Sequence, residues 1–293
     1  MIALERQIAD IIPTDTLLKG RTATGRSRWF YQGSHGLCGL GEHSSLAGLL
    51  ALSADEMANE LDGLTPIVEA PVELLAPLDE HTEVWAAGVT YQVSKKARME
   101  ESNEADIYDR VYEAVRPELF FKATGWRVSG PGGPIGIRHD STQNVPEPEV
   151  ALVLNAEGVI VGYTVCNDMS SRSIEGENPL YLPQAKVYRH SCAVGPWIRL
   201  ATAIPNPKDL SISASISRCG ELVWKGETST AQLKRSFEEL AEYLFKAETY
   251  PLGAVLSTGT CAVPGMDFTL AIDDTVRIEV AKIGHLSNTV VTV

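Results

Sequence analysis

The sequence predicts an α+β protein, mainly β with a few helices. Apolar runs of strand length recur from residue 150 to the C-terminus, several are joined by short turn-prone links, and clear helical periodicity is confined to a few stretches. The 293 residues are 44% hydrophobic and 22% charged, close to the globular average, so a sizeable core is expected and wholesale disorder is excluded.

Residues 1–63 are mixed and end in SSLAGLLALSADEMANELDGL, which reads as helical. Pro66, Pro71 and Pro77 then punctuate an extended stretch. They set a boundary between a small N-terminal region, 1–75, and a main domain, 76–293. The stretch 92–114 is helical in pattern and highly charged, and reads as a solvated surface helix in preference to a mobile lid. Further along, VALVL (150–154) and VIVGYTV (159–165) flank Asn155-Ala156-Glu157-Gly158 and predict a hairpin. LSISASIS and ELVWKGETS flank Arg218-Cys219-Gly220 in the same way, and AVLSTGT and TVRIEVAKIG are further strands. Leu233, Phe237, Leu240 and Leu244 recur at spacings of four, three and four and predict one helix with a single apolar stripe.

With 25 Lys+Arg against 38 Asp+Glu, the net charge is −13. That balance argues against a nucleic-acid partner, which would require basic residues to neutralise phosphates. The five cysteines are odd in number, widely spaced and without a CxxC pair, so free thiols in a reducing compartment are expected. Cys192 among them reads as a core thiol, and His190 and His285 as packed or exposed rather than catalytic. The N-terminus has no basic-then-apolar layout and no run approaches the length of a membrane span. The expectation is a soluble cytoplasmic protein with no membrane partner.

Chemistry concentrates in Pro146-Glu147-Pro148-Glu149. Strand period two puts Glu147 and Glu149 on one face. A hairpin centred on Ala156–Glu157 sets Cys166 opposite Glu147, with Asp168 two residues further along the same face. Three carboxylates on one face repel unless a proton or cation intervenes. An all-oxygen set suits a hard divalent ion, Mg²⁺ before Mn²⁺ or Ca²⁺, and with no His or Cys among the three it does not suit Zn²⁺. An E-x-E pair alone also reads as a solvated strand face. The polar density that follows, Met169-Ser170-Ser171-Arg172-Ser173 and then ENPLYLPQAK ending in Lys186, weighs towards the metal site.

PEPEVALVL, GYTVCNDMSSRS, Lys186 followed by CAVGPWI, and STGTCAVPG together resemble the fumarylacetoacetate hydrolase family over residues 80–293. The resemblance implies a mixed β-sandwich roll, metal-dependent work on a 2-oxo acid, and a homodimer or homotetramer. It also implies Glu147, Glu149 and Asp168 as metal ligands, Lys186 as the active-site lysine, and Thr260 as a contact for the substrate carboxylate. Hydrolytic members carry a His in the first loop, whereas the corresponding Gly88–Ser94 stretch has none; C–C bond hydrolysis is therefore in doubt. YEAVRPELFFKAT, with Arg116 and Glu118, and ENPLYLPQAK resemble the branch that dehydrates 2-keto-3-deoxy-D-arabinonate.

In that reading Mg²⁺ chelated by the C1 carboxylate and C2 carbonyl acidifies C3. Lys186 and Glu118 then divide the roles of base and acid, in either order, for loss of the C4 hydroxyl and formation of 2-oxoglutarate semialdehyde. Tyr91, Gln184 and Arg116 are candidate substrate contacts. The alternatives are a hydrolase or decarboxylase of acylpyruvates in the same superfamily and a non-catalytic 2-oxo acid binding protein.

Overall fold

The computed structural model describes residues 11–41, 44–67, 69–91 and 110–293. Its larger sheet runs in the order Gly36–Gly39, Ser27–Gly33, Thr16–Arg21, Cys192–Leu200, Ile160–Asp168, Pro148–Leu154, Ala254–Ser257, Glu83–Gly88, Glu118–Thr124. The smaller sheet runs Glu221–Ser229, Ser211–Arg218, Thr275–Val280, Gly284–Thr292, Pro134–Ile137. The strand Pro148–Leu154 is buried at every residue, which explains why it reads as a continuous apolar run rather than an alternating one.

Its side chains divide between two cores. Val150, Leu152 and Leu154 pack with Ile212, Ile216, Val276 and Ile278 of the smaller sheet and with Phe237, Leu240 and Leu244. Ala151 and Val153 face the other way, onto Leu46, Leu49, Leu50, Met57 and Leu61. The result is a mixed β-sandwich with helices covering the outer face of the larger sheet. The N-terminal strands join that sheet where Thr16 and Leu17 pair with Arg199 and Ile198. Among the described residues, no helix is long and apolar enough to cross a membrane.

The turn at Cys219–Gly220 has positive φ at both positions, 51° and 83°, the conformation that continues strand twist through a two-residue hairpin. Other elements differ from the sequence reading in instructive ways. The segment read as helical splits into Leu46–Leu50 and Ala54–Asp62, because Ser53 caps the second helix in a reciprocal pair with Glu56. The later helix is Phe237–Phe245, begun by Ser236 accepting from the Glu239 N–H, so Leu233 lies before it. TVRIEVAKIG divides at a turn with Lys282 at φ 65°, between Thr275–Val280 and Gly284–Thr292. Of the charged stretch 92–114, residues 92–109 lie outside the described residues, and 110–113 are helical.

The hairpin register also differs, by two residues. Cys166 pairs with Glu149, and not with Glu147. One residue of the difference comes from the loop, since Leu154 pairs with Ile160, and one from a bulge between Ile160 and Gly162. A single-residue slip would turn every side chain to the other face, whereas two restore the parity.

Candidate metal and active site

Glu147, Glu149 and Asp168 are brought together where this hairpin ends, as expected from their shared face. The ladder continues past the first strand residue: the Asp168 N–H donates to the Glu147 carbonyl at 3.0 Å, and the Glu147 N–H to Asn167 Oδ1 at 3.3 Å. Each carboxylate offers an oxygen, and these atoms lie within 4.8 Å of one another, all buried. Burial pushes the Glu149 carboxyl well above the usual carboxylate range, with Asp168, Cys166 and Glu147 adding to the effect. Ser257 Oγ and the Gly259 N–H donate to Glu149 Oε2 at 2.6 and 2.7 Å.

Three buried cations face the three carboxylates. Lys186 Nζ donates to Glu147 Oε2 at 2.8 Å, to Asp168 Oδ2 at 3.1 Å and to Ser170 Oγ at 2.5 Å. Arg172 Nη2 donates to Glu147 Oε1 at 3.0 Å. Lys122 Nζ stands 2.5 Å from Asp168 Oδ1, a contact of charge, because Oδ1 receives no well-oriented hydrogen bond among the described residues. Lys186 reaches the cluster from the short helix Leu182–Lys186. Lys122 comes from the edge strand Glu118–Thr124, on the same face as Glu118 and Phe120. The Lys186 ammonium lies 5.6 Å from the centre of the Phe120 ring.

A cavity with about 20 Å³ of free volume opens at this cluster, lined in part by Glu118, Phe120, Glu147, Asp168, Lys186 and Thr260. That is room for one water or one ion. The Glu118 carboxylate lies against Gly88, where a Cβ would fall 2.0 Å from Oε2. Thr260 Oγ1 accepts from the Ala262 N–H at 3.3 Å, leaving its O–H to donate.

The other candidates are placed elsewhere. Tyr91 is fully buried at an isolated bridge to Leu233, its hydroxyl pKa raised by burial and by the nearby Cys261 and Glu149. Gln184 is exposed, and its carbonyl accepts from Arg138. Arg116 is exposed, its guanidinium 5.7 Å from the Tyr243 ring centre in a separate groove. The sequence reading named Ser170 and Arg172 only as part of a polar stretch beside the site, and did not single out Lys122, Ser257 or Glu175, the last of which is 5% exposed and lines the same cavity. Lys122 left a signal, as the lone charge in the apolar run LFFKAT.

The donor set fits a hard divalent cation: three carboxylates, all oxygen, in a space of ionic size. The same cluster predicts a stability effect. Replacing Lys186 with Met leaves the buried carboxylates undercompensated, and is expected to destabilise the metal-stripped protein by about 3–5 kcal/mol. Urea denaturation in EDTA measures this, and an unchanged midpoint would contradict the account.

Residues 83–291 match the family model described as the fumarylacetoacetate hydrolase C-terminal region. The chain is 48% identical to "Probable 2-keto-3-deoxyxylonate dehydratase" of Haloferax volcanii, covering 86% of this chain and 88% of that protein. It is 43% identical to the 2-dehydro-3-deoxy-D-arabinonate dehydratase of Saccharolobus solfataricus, over 73% of each. Among solved structures, 2-keto-3-deoxy-D-arabinonate dehydratase complexed with magnesium and 2,5-dioxopentanoate superposes with a TM-score of 0.80. It is 34% identical, with 95% of this chain and 99% of that one covered. On its sequence motifs, its fold and this match, the chain belongs to the fumarylacetoacetate hydrolase family.

Proposed function

We propose that this protein is a magnesium-dependent hydro-lyase that dehydrates a 2-keto-3-deoxy sugar acid, a pentonate, to the 2,5-dioxo acid (2-oxoglutarate semialdehyde). The observation that carries this reading is Lys186 held between Glu147 and Asp168 in a cavity shared with Glu118. The likeness to two dehydratases and to a complex holding magnesium and 2,5-dioxopentanoate supports it. Glu147, Glu149 and Asp168 would hold the ion. Bound there, a divalent cation supplies Lewis acidity to the 2-oxo group and so acidifies the C3 proton.

The chain's own groups account for the remaining requirements. Thr260 offers its hydroxyl to the substrate carboxylate. Lys186 and Glu118 carry the two proton transfers, one taking the C3 proton and the other protonating the departing C4 hydroxyl. Water leaves, and tautomerisation gives the dioxo acid. Phe120 supplies an apolar wall beside both groups.

The test incubates purified protein with 2-keto-3-deoxypentonate and Mg²⁺ and reads the semialdehyde through a coupled aldehyde dehydrogenase. Activity is expected with Mg²⁺ and lost in EDTA, and Lys186→Ala and Glu118→Gln are each expected to lower kcat by about 10²–10⁴-fold. Solvent deuterium exchange at C3 assigns the roles, because the variant lacking the base loses exchange while the variant lacking the acid keeps it. Turnover that survives EDTA, or variants that keep most of their activity, would contradict the proposal.

A cytoplasmic homodimer or homotetramer accompanies this reading. Its support is the five free cysteines and the edge strand Glu221–Ser229, where Leu222 and Val223 are 61% and 40% exposed and present apolar surface that a second copy would cover. Light scattering on protein from the cytosolic fraction is expected to give two or four chain masses, and a single chain mass would contradict it.

A further inference from the structure

Each carboxylate of the triad is held on one oxygen by a group from a different part of the chain. Arg172 takes Glu147 Oε1. Ser257 and the Gly259 N–H take Glu149 Oε2. Lys122 stands against Asp168 Oδ1 at 2.5 Å. The other oxygens of Glu147 and Asp168 face Lys186, which bridges them. An incoming cation therefore meets Glu149 with one oxygen engaged, and reaches Glu147 and Asp168 by displacing Lys186 from the oxygen of each that Arg172 and Lys122 do not hold.

Among these clamps, Lys122 is tied most tightly. It is fully buried at 0% exposure, and its Nζ also donates to the carbonyls of Met169 at 2.9 Å and Lys186 at 2.5 Å. Those carbonyls belong to the residue after Asp168 and to the lysine that bridges the triad. Moving Nζ off Oδ1 would abandon two hydrogen bonds in the interior, where unpaired carbonyls are costly. Displacing Lys122 from Oδ1 is therefore costly.

The number of oxygens a carboxylate can offer separates the two common hard cations. Mg²⁺ demands near-octahedral ligation at about 2.0–2.1 Å, whereas Ca²⁺ takes about 6–8 oxygens at about 2.3–2.6 Å and accepts both oxygens of one carboxylate. We propose that Lys122 fixes Asp168 as a one-oxygen ligand and, with Arg172 and Ser257, makes this site select magnesium over calcium. This inference rests on the metal site of the functional reading above and makes Lys122 a positioning residue.

The test titrates metal-stripped protein with Mg²⁺ and with Ca²⁺ by calorimetry, in the parent and in Lys122→Met, without substrate. Both ions carry the same charge, so removing the lysine's charge changes the two affinities alike to first order, and the ratio isolates ligation. The Lys122→Met protein is expected to shift the ratio of Kd values at least tenfold towards calcium. A ratio within threefold of the parent's overturns the proposal. If Lys122→Met does not fold, Arg172→Met poses the same question at Glu147 Oε1, with the same shift expected and the same null shift decisive against it. A parent that binds Mg²⁺ but does not dehydrate the sugar acid contradicts the functional reading alone. An unshifted ratio contradicts this inference alone.

Discussion

Three carboxylates buried within 4.8 Å of one another are the constraint on which the rest of this structure depends. In an interior that solvates charge poorly, such a group cannot persist without compensation. The chain meets the demand with three cations, each buried: Lys122, Arg172 and Lys186. They arrive from the edge strand Glu118–Thr124 and the short helices Arg172–Glu177 and Leu182–Lys186. Lys186 sits on the oxygens of Glu147 and Asp168 that Arg172 and Lys122 leave open, so an ion entering the triad and this ammonium compete for the same atoms. That competition couples cation binding to the placement of the lysine proposed to move a proton.

The sandwich exists, in this view, to hold one hairpin end in register. Pro148–Leu154 sends Val150, Leu152 and Leu154 into one core and Ala151 and Val153 into the other, so a one-residue slip in its pairing would exchange the two sets and mispack both. The loop and the bulge each shift the register by one. Their combined effect keeps Glu149 opposite Cys166 and keeps Asp168 on the ligand face. Ser257, at the end of the neighbouring strand, then falls within 2.6 Å of Glu149.

Much of this was legible in the sequence because it is local. The two hairpins announce themselves in their turn residues, and the Glu147–Glu149 spacing fixes a common face whatever the register. The bulge near Val161 was not legible, since nothing in VIVGYTV distinguishes a bulged from a regular strand. The helix boundaries were missed where single serines, Ser53 and Ser236, end one run and cap the next. The pairings of the clamping groups were missed for a different reason. Lys122 is 46 residues from Asp168 and Arg172 is 25 from Glu147, and only the folded sheet shows that they meet. Arg116 and Gln184 lie close in sequence to Glu118 and Lys186 yet face other surfaces, because Arg116 precedes the strand that begins at Glu118 and rotation along the short helix turns Gln184 away from Lys186.

The donor set and the space between the three carboxylates fit the charge-balanced triad to hold a cation. Electron paramagnetic resonance of the metal-stripped protein titrated with Mn²⁺ tests it most directly, since bound and free ions give distinct signals without substrate or turnover. One Mn²⁺ per chain is expected, with affinity lowered tenfold or more in Glu149→Gln. Absence of bound Mn²⁺, or equal binding by parent and variant, would contradict it.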